Sequence, residues 1–189
     1  MGPLTARGHG KAGPKARAGL SPAEARARAR RIRLVLADCD GVLTDTGVFY
    51  GESGEVMKRF SIRDGMGVER LRLFGIESGI VSGEVSPSIA RRAEKLGIAR
   101  VLLGVKDKRA AVAALCAQAG LTLAQVAYIG DDVNDAAVLD AVGGEGLTGA
   151  PADALPEVAA RVHHRCAVPG GQGAFRDFAE WLLALRGET

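Results

Sequence analysis

Four short apolar runs, each stopped by an aspartate, a serine or a glycine, constrain this chain more than any other feature. Ile32 to Ala37 stops at Asp38, Gly79 to Val81 at Ser82-Gly83, Arg100 to Leu103 at Gly104, and Gln125 to Ile129 at Gly130-Asp131. Runs this short, bounded by turn signals, suit strands buried on both faces of a parallel sheet. The stretches between them, about 65–74, 86–96, 107–119 and 132–141, read as helices. Strands alternating with helices of that length predict βαβ units and a Rossmann-like, doubly wound α/β sheet. Ligands of such sheets gather beyond the carboxyl ends of the strands. Asp38, Ser82 and Asp131 fall at those ends.

One segment interrupts the alternation. Gly47-Val48-Phe49-Tyr50, then Gly51-Glu52-Ser53-Gly54, then Glu55 to Ile62 read as a β-hairpin inserted after the first strand, over about 46–62. A lone two-stranded ribbon is marginal in water. It is therefore expected to pack on something, and a second subunit is the favoured partner. The insert is too short to form a cap domain, so the fold is expected to be capless. Upstream, Ser21-Pro22-Ala23-Glu24 forms a capping box with proline at the first helical position, opening a short Ala/Arg helix. Residues 1–20 carry no hydrophobic periodicity and read as a flexible basic tail, leaving 21–189 as a single domain, a length that suits one core.

The charge divides at the same place. The chain of 189 residues has 25 Lys+Arg and 22 Asp+Glu, a net +3. Its first 33 residues hold nine basic residues against one acid, Glu24, which is +8, and the rest carries −5. The basic character thus belongs to the leader, and no nucleic-acid partner is expected of an acidic domain. An Arg/Ala-rich, acid-poor leader also has the composition of an organellar transit peptide, though a Gly/Pro-rich extension accounts for the same residues. No apolar run approaches the ~18–20 residues of a spanning helix, so no membrane partner is expected. Cys39, Cys116 and Cys166 form no spaced pair. Together with the lack of an apolar signal region, they point to reduced thiols and the cytoplasm.

Taken one at a time, the polar strand ends are unremarkable. Asp38-Cys39-Asp40-Gly41 could be a turn, Ser82-Gly83 a helix cap, Gly130 to Asp135 a strand-to-helix turn capped by Asp132, and Lys108 a solvated helix charge. Together they deliver carboxylates, a hydroxyl and one lysine to one end of a sheet. Clustered aspartates repel one another unless a cation lies among them, and hard oxygen donors select Mg²⁺. A carboxylate, a lysine, a hydroxyl and Mg²⁺ are the requirements of phosphoryl transfer, whose transition state spreads negative charge over three oxygens.

The order DxD, Ser, Lys, GDDxxD resembles the haloacid dehalogenase superfamily of phosphohydrolases, over residues ~32–185. The strings DCDGVLTD (38–45), FSIRDGMGV (60–68), KDK (106–108), VAYIGDDVND (126–135) and GGQGAFRDF (170–178) resemble one capless branch. That branch comprises the 3-deoxy-D-manno-octulosonate 8-phosphate phosphatases and relatives acting on nine-carbon keto sugar acid phosphates. The same module is similar to the C-terminal domain of some acylneuraminate cytidylyltransferases. The resemblance implies that Asp38 is the nucleophile and Asp40 the general acid and base. It implies Mg²⁺ held by Asp38, the Asp40 carbonyl and Asp131, with Ser82 on a phosphoryl oxygen and Lys108 offsetting charge. Asp135 would orient Lys108, and Asp132 would meet metal-bound water. It further implies a homotetramer built on the hairpin, with a neighbouring subunit enclosing a small phosphorylated sugar acid.

Substrate choice rests on fewer residues. Glu84 stands where octulosonate phosphatases usually carry arginine, and Glu84, Arg92 and Lys95 together resemble the nononate 9-phosphate branch, in which such residues bind the sugar acid. Arg92 and Lys95 share a helix face by their i, i+3 spacing. Arg176, after the Gly170 to Gly173 loop, resembles a further residue that meets the site. The expectation is therefore a nine-carbon 9-phosphate, with octulosonate 8-phosphate as the alternative and a tetramerising structural module as an alternative of another class. Cys39, pointing away from its flanking aspartates, reads as a small buried hydrophobe. His163 and His164 have no spaced carboxylate partner and carry no expected role. Phe175, Phe178 and Trp181 read as packing for a terminal helix.

Overall fold

The computed structural model describes residues 19–188. The expected tail lies outside the described residues but for Gly19 and Leu20, and Leu20 already packs against the core. Helix α1 (Pro22–Ala29) opens with the expected capping box, Ser21 and Glu24 each accepting from the other's backbone N–H. There follow β1 (Leu34–Ala37), a hairpin of β2 (Thr44–Gly51) and β3 (Gly54–Phe60), α2 (Ile62–Leu73), β4 (Glu77–Val81), α3 (Pro87–Leu96) and β5 (Arg100–Leu102). The second half comprises α4 (Lys108–Ala119), β6 (Val126–Ile129), α5 (Ala136–Glu145), β7 (Leu147–Ala150), α6 (Pro156–Ala159), β8 (His164–Arg165) and α7 (Ala174–Arg186).

Six strands form one sheet in the order β5-β4-β1-β6-β7-β8, and every pair in it is parallel. The order reverses across β1 and β6, so the crevice at their carboxyl ends is the topological switch point where ligands of such sheets bind. Alternation along β1 builds a core on each face. Val35 and Ala37 join Leu71, Phe175, Phe178 and Leu182 on the side of α2 and α7. Leu34 and Leu36 join Val112, Leu115, Val138 and Val142 on the side of α4 and α5. Phe175 and Phe178 are buried and Trp181 packs partly against them, the expected role for the terminal helix.

Two strands were not visible in the sequence. Leu147-Thr148-Gly149-Ala150 has no β-branched run, and β8 is a two-residue strand of His164 and Arg165. Both form because β6 presents an open edge: β7 pairs with β6, and β8 with β7 through Gly149↔His164 and Ala150↔Arg165. The hairpin forms its own antiparallel sheet and starts at Thr44, slightly ahead of the expected boundary. It touches the domain through α3, where Ser86 Oγ donates to Glu55 Oε1 at 2.5 Å. Phe49, Tyr50, Val56 and Met57 are exposed on it. Among the described residues no helix is long and apolar enough to cross a membrane.

Candidate active site

Asp38 is the first residue past β1, and its N–H donates to the Ile129 carbonyl at 3.0 Å, extending the ladder with β6. The chain then turns sharply: the Cys39 carbonyl accepts from Val42, Leu43 and Thr44, while buried Cys39, Val42 and Leu43 anchor the loop from below. Cys39 is thus the small buried hydrophobe expected. Gly41 has φ +91°, and a Cβ there would lie 1.9 Å from Asp131 Oδ2. Only glycine lets the two acidic loops approach this closely.

Lys108 begins α4, which Asp107 caps through the Ala110 N–H. It does not face solvent, the bland sequence reading: it is 3% exposed. Its Nζ lies 2.7 Å from Asp38 Oδ2 and 2.8 Å from Asp135 Oδ1. Asp135 is fully buried and also accepts from Tyr128 OH at 2.7 Å and the Asp131 N–H at 3.2 Å. Asp132 caps the short 3₁₀ turn Val133–Asp135 with its Oδ1 on the Val133 N–H. Ser82, past β4 and buried, accepts from the Glu84 N–H at 3.2 Å. Asp40 turns its carboxylate to Lys58 Nζ at 2.6 Å and Thr44 Oγ1 at 3.1 Å. A cavity of about 220 Å³ opens between these loops, walled by Asp38, Asp40, Thr46, Ser82, Gly83, Glu84, Asp131, Asp132 and Asn134.

Charge in this cavity is unbalanced. Burial, then repulsion from Asp38, Asp135 and Asp132, pushes Asp131 up to about 8. Burial and Asp135 push Asp38 up to about 7 against the opposing pull of Lys108. Burial works downward on Lys108, yet Asp38 and Asp135 outweigh it and hold its pKa above the ordinary value. Carboxylate oxygens of Asp38, Asp131 and Asp135 lie within 4.8 Å of one another, and Asp131 Oδ1 is buried without a hydrogen-bond partner. An orphaned carboxylate oxygen in an all-oxygen donor set, with one lysine against three acids, fits a hard divalent cation.

A second group, His164, Cys166 and Asp177, also lies within 4.8 Å. It corrects the reading of His164 as lacking a carboxylate: its Nε2 is 2.7 Å from Asp177 Oδ1, brought there by α7, and its ring stacks on Trp181 at 4.6 Å. Asp177 Oδ2 accepts from the Ala167 N–H, Cys166 Sγ donates to the Ala174 carbonyl, and burial pushes the thiol up to about 12. These groups satisfy one another and pack the end of the sheet.

The expected substrate residues separate in space. Glu84 lines the cavity. Arg92 is on α3, donating to the Ser61 carbonyl at 2.8 Å and lying over the Phe60 ring, and Lys95 is exposed on the same helix. Arg176 pairs with Glu180 at 2.6 Å beside a different hollow, shared with Arg63 and Gln172. Within one protomer none of the three basic residues reaches the acidic cavity. Lys58 and Thr46 do belong to the site's surroundings and were not singled out in the sequence. The signal for Lys58 was a lysine two residues from Phe60 on one strand face; Thr46, a non-glycine at φ +65°, gave none.

A parallel sheet with DxD beyond its central strand, a hydroxyl beyond the next and a buried lysine among acids defines the haloacid dehalogenase class of phosphohydrolase. No protein-family model matches the chain. The 3-deoxy-D-manno-octulosonate 8-phosphate phosphatase KdsC of Haemophilus influenzae is 40% identical over 158 residues, 84% of this chain and 86% of the relative. The cobalt-bound structure of the Haemophilus influenzae phosphatase matches with a TM-score of 0.79 and 39% identity, over 85% of this chain and 92% of that one. The Moraxella catarrhalis phosphatase, solved with magnesium, phosphate and the octulosonate, matches with a TM-score of 0.81 and 32% identity, over 87% and 92%. The chain belongs to the haloacid dehalogenase superfamily, in the branch of the 3-deoxy-D-manno-octulosonate 8-phosphate phosphatases.

Proposed function

We propose that this protein is a Mg²⁺-dependent phosphomonoesterase that hydrolyses 3-deoxy-D-manno-octulosonate 8-phosphate through an aspartyl-phosphate. The observation that carries the reading is the cavity at the switch point, where Lys108 is shared by Asp38 and Asp135 while Asp131 is left with an unpartnered oxygen. Asp38, Asp131 and the Asp40 carbonyl would hold Mg²⁺, which neutralises charge and positions the phosphate. An Asp38 carboxylate oxygen attacks phosphorus, and the ester P–O bond breaks toward the sugar oxygen. Asp40 gives that oxygen its proton, then takes one from the water that attacks the aspartyl-phosphate, releasing inorganic phosphate and the Asp38 carboxylate. Ser82 hydrogen-bonds a phosphoryl oxygen. Lys108, fixed by Asp135, stabilises the charge that gathers on the phosphoryl group. Asp132, on the cavity wall, would meet water held by the cation.

The similarity to named octulosonate phosphatases supports the eight-carbon substrate over the nine-carbon one. One observation favours the second reading: Glu84, in place of the arginine usual in the octulosonate branch, is on the cavity wall. A pocket formed with a neighbouring subunit would bring Arg92, Lys95 and Arg176 to the sugar acid, and the exposed apolar residues of the hairpin support a homotetramer. The intact set Asp38, Asp40, Ser82, Lys108 and Asp131 favours an enzyme over a purely structural module. A single domain over 21–189 working in the cytoplasm accords with three free thiols. Phosphate release from octulosonate 8-phosphate, nononate 9-phosphate and acylneuraminate 9-phosphate, with and without Mg²⁺, tests the assignment. The highest kcat/KM is expected for the eight-carbon ester; a preference for either nine-carbon ester would transfer the assignment. Asp38→Asn is expected to retain the fold and lose activity by at least about 10³-fold.

A further inference from the structure

The hairpin brings one charged group into the domain. Lys58 on β3 has a side chain only 2% exposed, and its Nζ lies 2.6 Å from Asp40 Oδ2. The other Asp40 oxygen accepts from Thr44 Oγ1 at 3.1 Å, so both carboxylate oxygens are held. Lys58 is braced from behind: Glu55 Oε2 is 3.8 Å from its Nζ, and Glu55 Oε1 accepts from Ser86 Oγ, the cap of α3. A buried ammonium is costly to desolvate and persists only where carboxylates compensate it. Lys58 is absent from the cavity wall, whereas Asp40 lies on it. It therefore stands behind Asp40, away from any bound phosphate, and Lys108 already serves Asp38.

We propose that Lys58 is a positioning residue for the reaction, holding the Asp40 carboxyl toward the leaving oxygen and stabilising the charge left on it when the proton departs. The inference rests on the acid–base role given to Asp40 above. As the Asp38 oxygen bonds to phosphorus, the electron pair of the breaking P–O bond moves to the ester oxygen. The Asp40 proton transfers to that oxygen, and the resulting carboxylate is already paired with Lys58. A fixed ammonium aimed at developing charge needs no reorganisation at the moment of reaction. Its loss must therefore lower kcat/KM, which reports the steps up to departure of the leaving group, on esters whose leaving group requires protonation. It must spare kcat/KM where the leaving group departs as a stable anion; hydrolysis of the aspartyl-phosphate, in which Asp40 is the base, is common to every ester.

The test compares octulosonate 8-phosphate and glycerol 3-phosphate, both alkyl esters, with 4-nitrophenyl phosphate in wild type, K58M and K58R. K58M is expected to lower kcat/KM on the alkyl esters by about 10- to 100-fold, with kcat/KM on the aryl ester within about threefold, and K58R to recover part of the loss. In a D40N background, K58M is expected to add no further loss, because its effect passes through Asp40. Equal losses of kcat/KM on aryl and alkyl esters, a loss on the alkyl esters carried by KM alone, or losses that add to those of D40N would overturn the proposal. Should K58M not fold, K58Q, which keeps a donor without the charge, is held to the same alkyl-to-aryl criterion. If octulosonate 8-phosphate is not hydrolysed by the wild type, the substrate reading fails, while the glycerol-to-aryl ratio still decides the role of Lys58.

Discussion

Asp135 touches three groups that each need it, Lys108, the Tyr128 hydroxyl and the Asp131 N–H, and through Lys108 it is linked to Asp38. Its neighbour Gly130 shows how tightly it is fitted, since a Cβ at that position would lie 2.4 Å from the Asp135 carboxyl carbon. Gly41 plays the same part for Asp131. Replacing Gly41 by alanine would combine a positive φ with overlap of the Asp131 carboxylate. The expected result is about 1–3 kcal/mol of lost stability and weakened Mg²⁺ binding, read by thermal unfolding with and without the cation. At this scale Asp38, Asp131 and Ser82 were legible because each ends an apolar run. Lys58 was not, because nothing in a strand's own sequence says that the face it shares with Phe60 will meet a carboxylate from another loop.

The hairpin is the element whose environment the domain leaves unfinished. It is tied to α3 by Glu55, beside its turn, through Ser86, and to the DxD loop by Lys58, yet Phe49, Tyr50, Val56 and Met57 are 54–74% exposed. A cluster of that kind on a short ribbon is the expected mark of an association surface. Phe49 and Met57 are cross-strand partners, so changing both to lysine places like charges opposite each other on that surface. The double variant is expected to reduce a tetramer to smaller species by sedimentation; an unchanged assembly would remove the hairpin from the interface. The hairpin's existence was legible from Gly51 and Gly54 between alternating runs. Strands β7 and β8 were not, since their pairing energy comes from the open edges of β6 and then β7 rather than from their own residues.

Over the whole molecule the acids make stability depend on pH and on the cation. Without a metal, Asp38 and Asp131 titrate at about 7 and about 8 in the folded protein, and Asp64, buried beneath the start of α7, at about 6. All three lie above the ~3.9 of an unfolded aspartate. The folded state thus keeps protons that the unfolded state has lost, and stability falls as pH rises from about 4 to about 8. A divalent cation held by Asp38 and Asp131, as proposed above, would replace the protons on those two but not the one on Asp64. The stabilisation by Mg²⁺, read as a rise in Tm, is therefore expected to be small at pH 5.5 and to grow through pH 8, where it reaches about 2.7 kcal/mol of unfolding free energy at a hundredfold excess over Kd. An increment independent of pH would separate metal binding from these acids.

The sequence by itself determined the α/β alternation, the parallel sheet, the hairpin insert and the strand ends that carry Asp38, Ser82 and Asp131. These follow from local periodicity and from residues that stop strands, which are properties of neighbours along the chain. Only the tertiary structure decided that Lys108 is buried between Asp38 and Asp135, that Lys58 backs Asp40, and that His164 meets Asp177. It also separated Glu84, on the cavity wall, from Arg92, Lys95 and Arg176, which lie elsewhere in the protomer. The reason is physical: a charge pair is fixed by distance and burial across elements far apart in sequence, and no period along the chain records either.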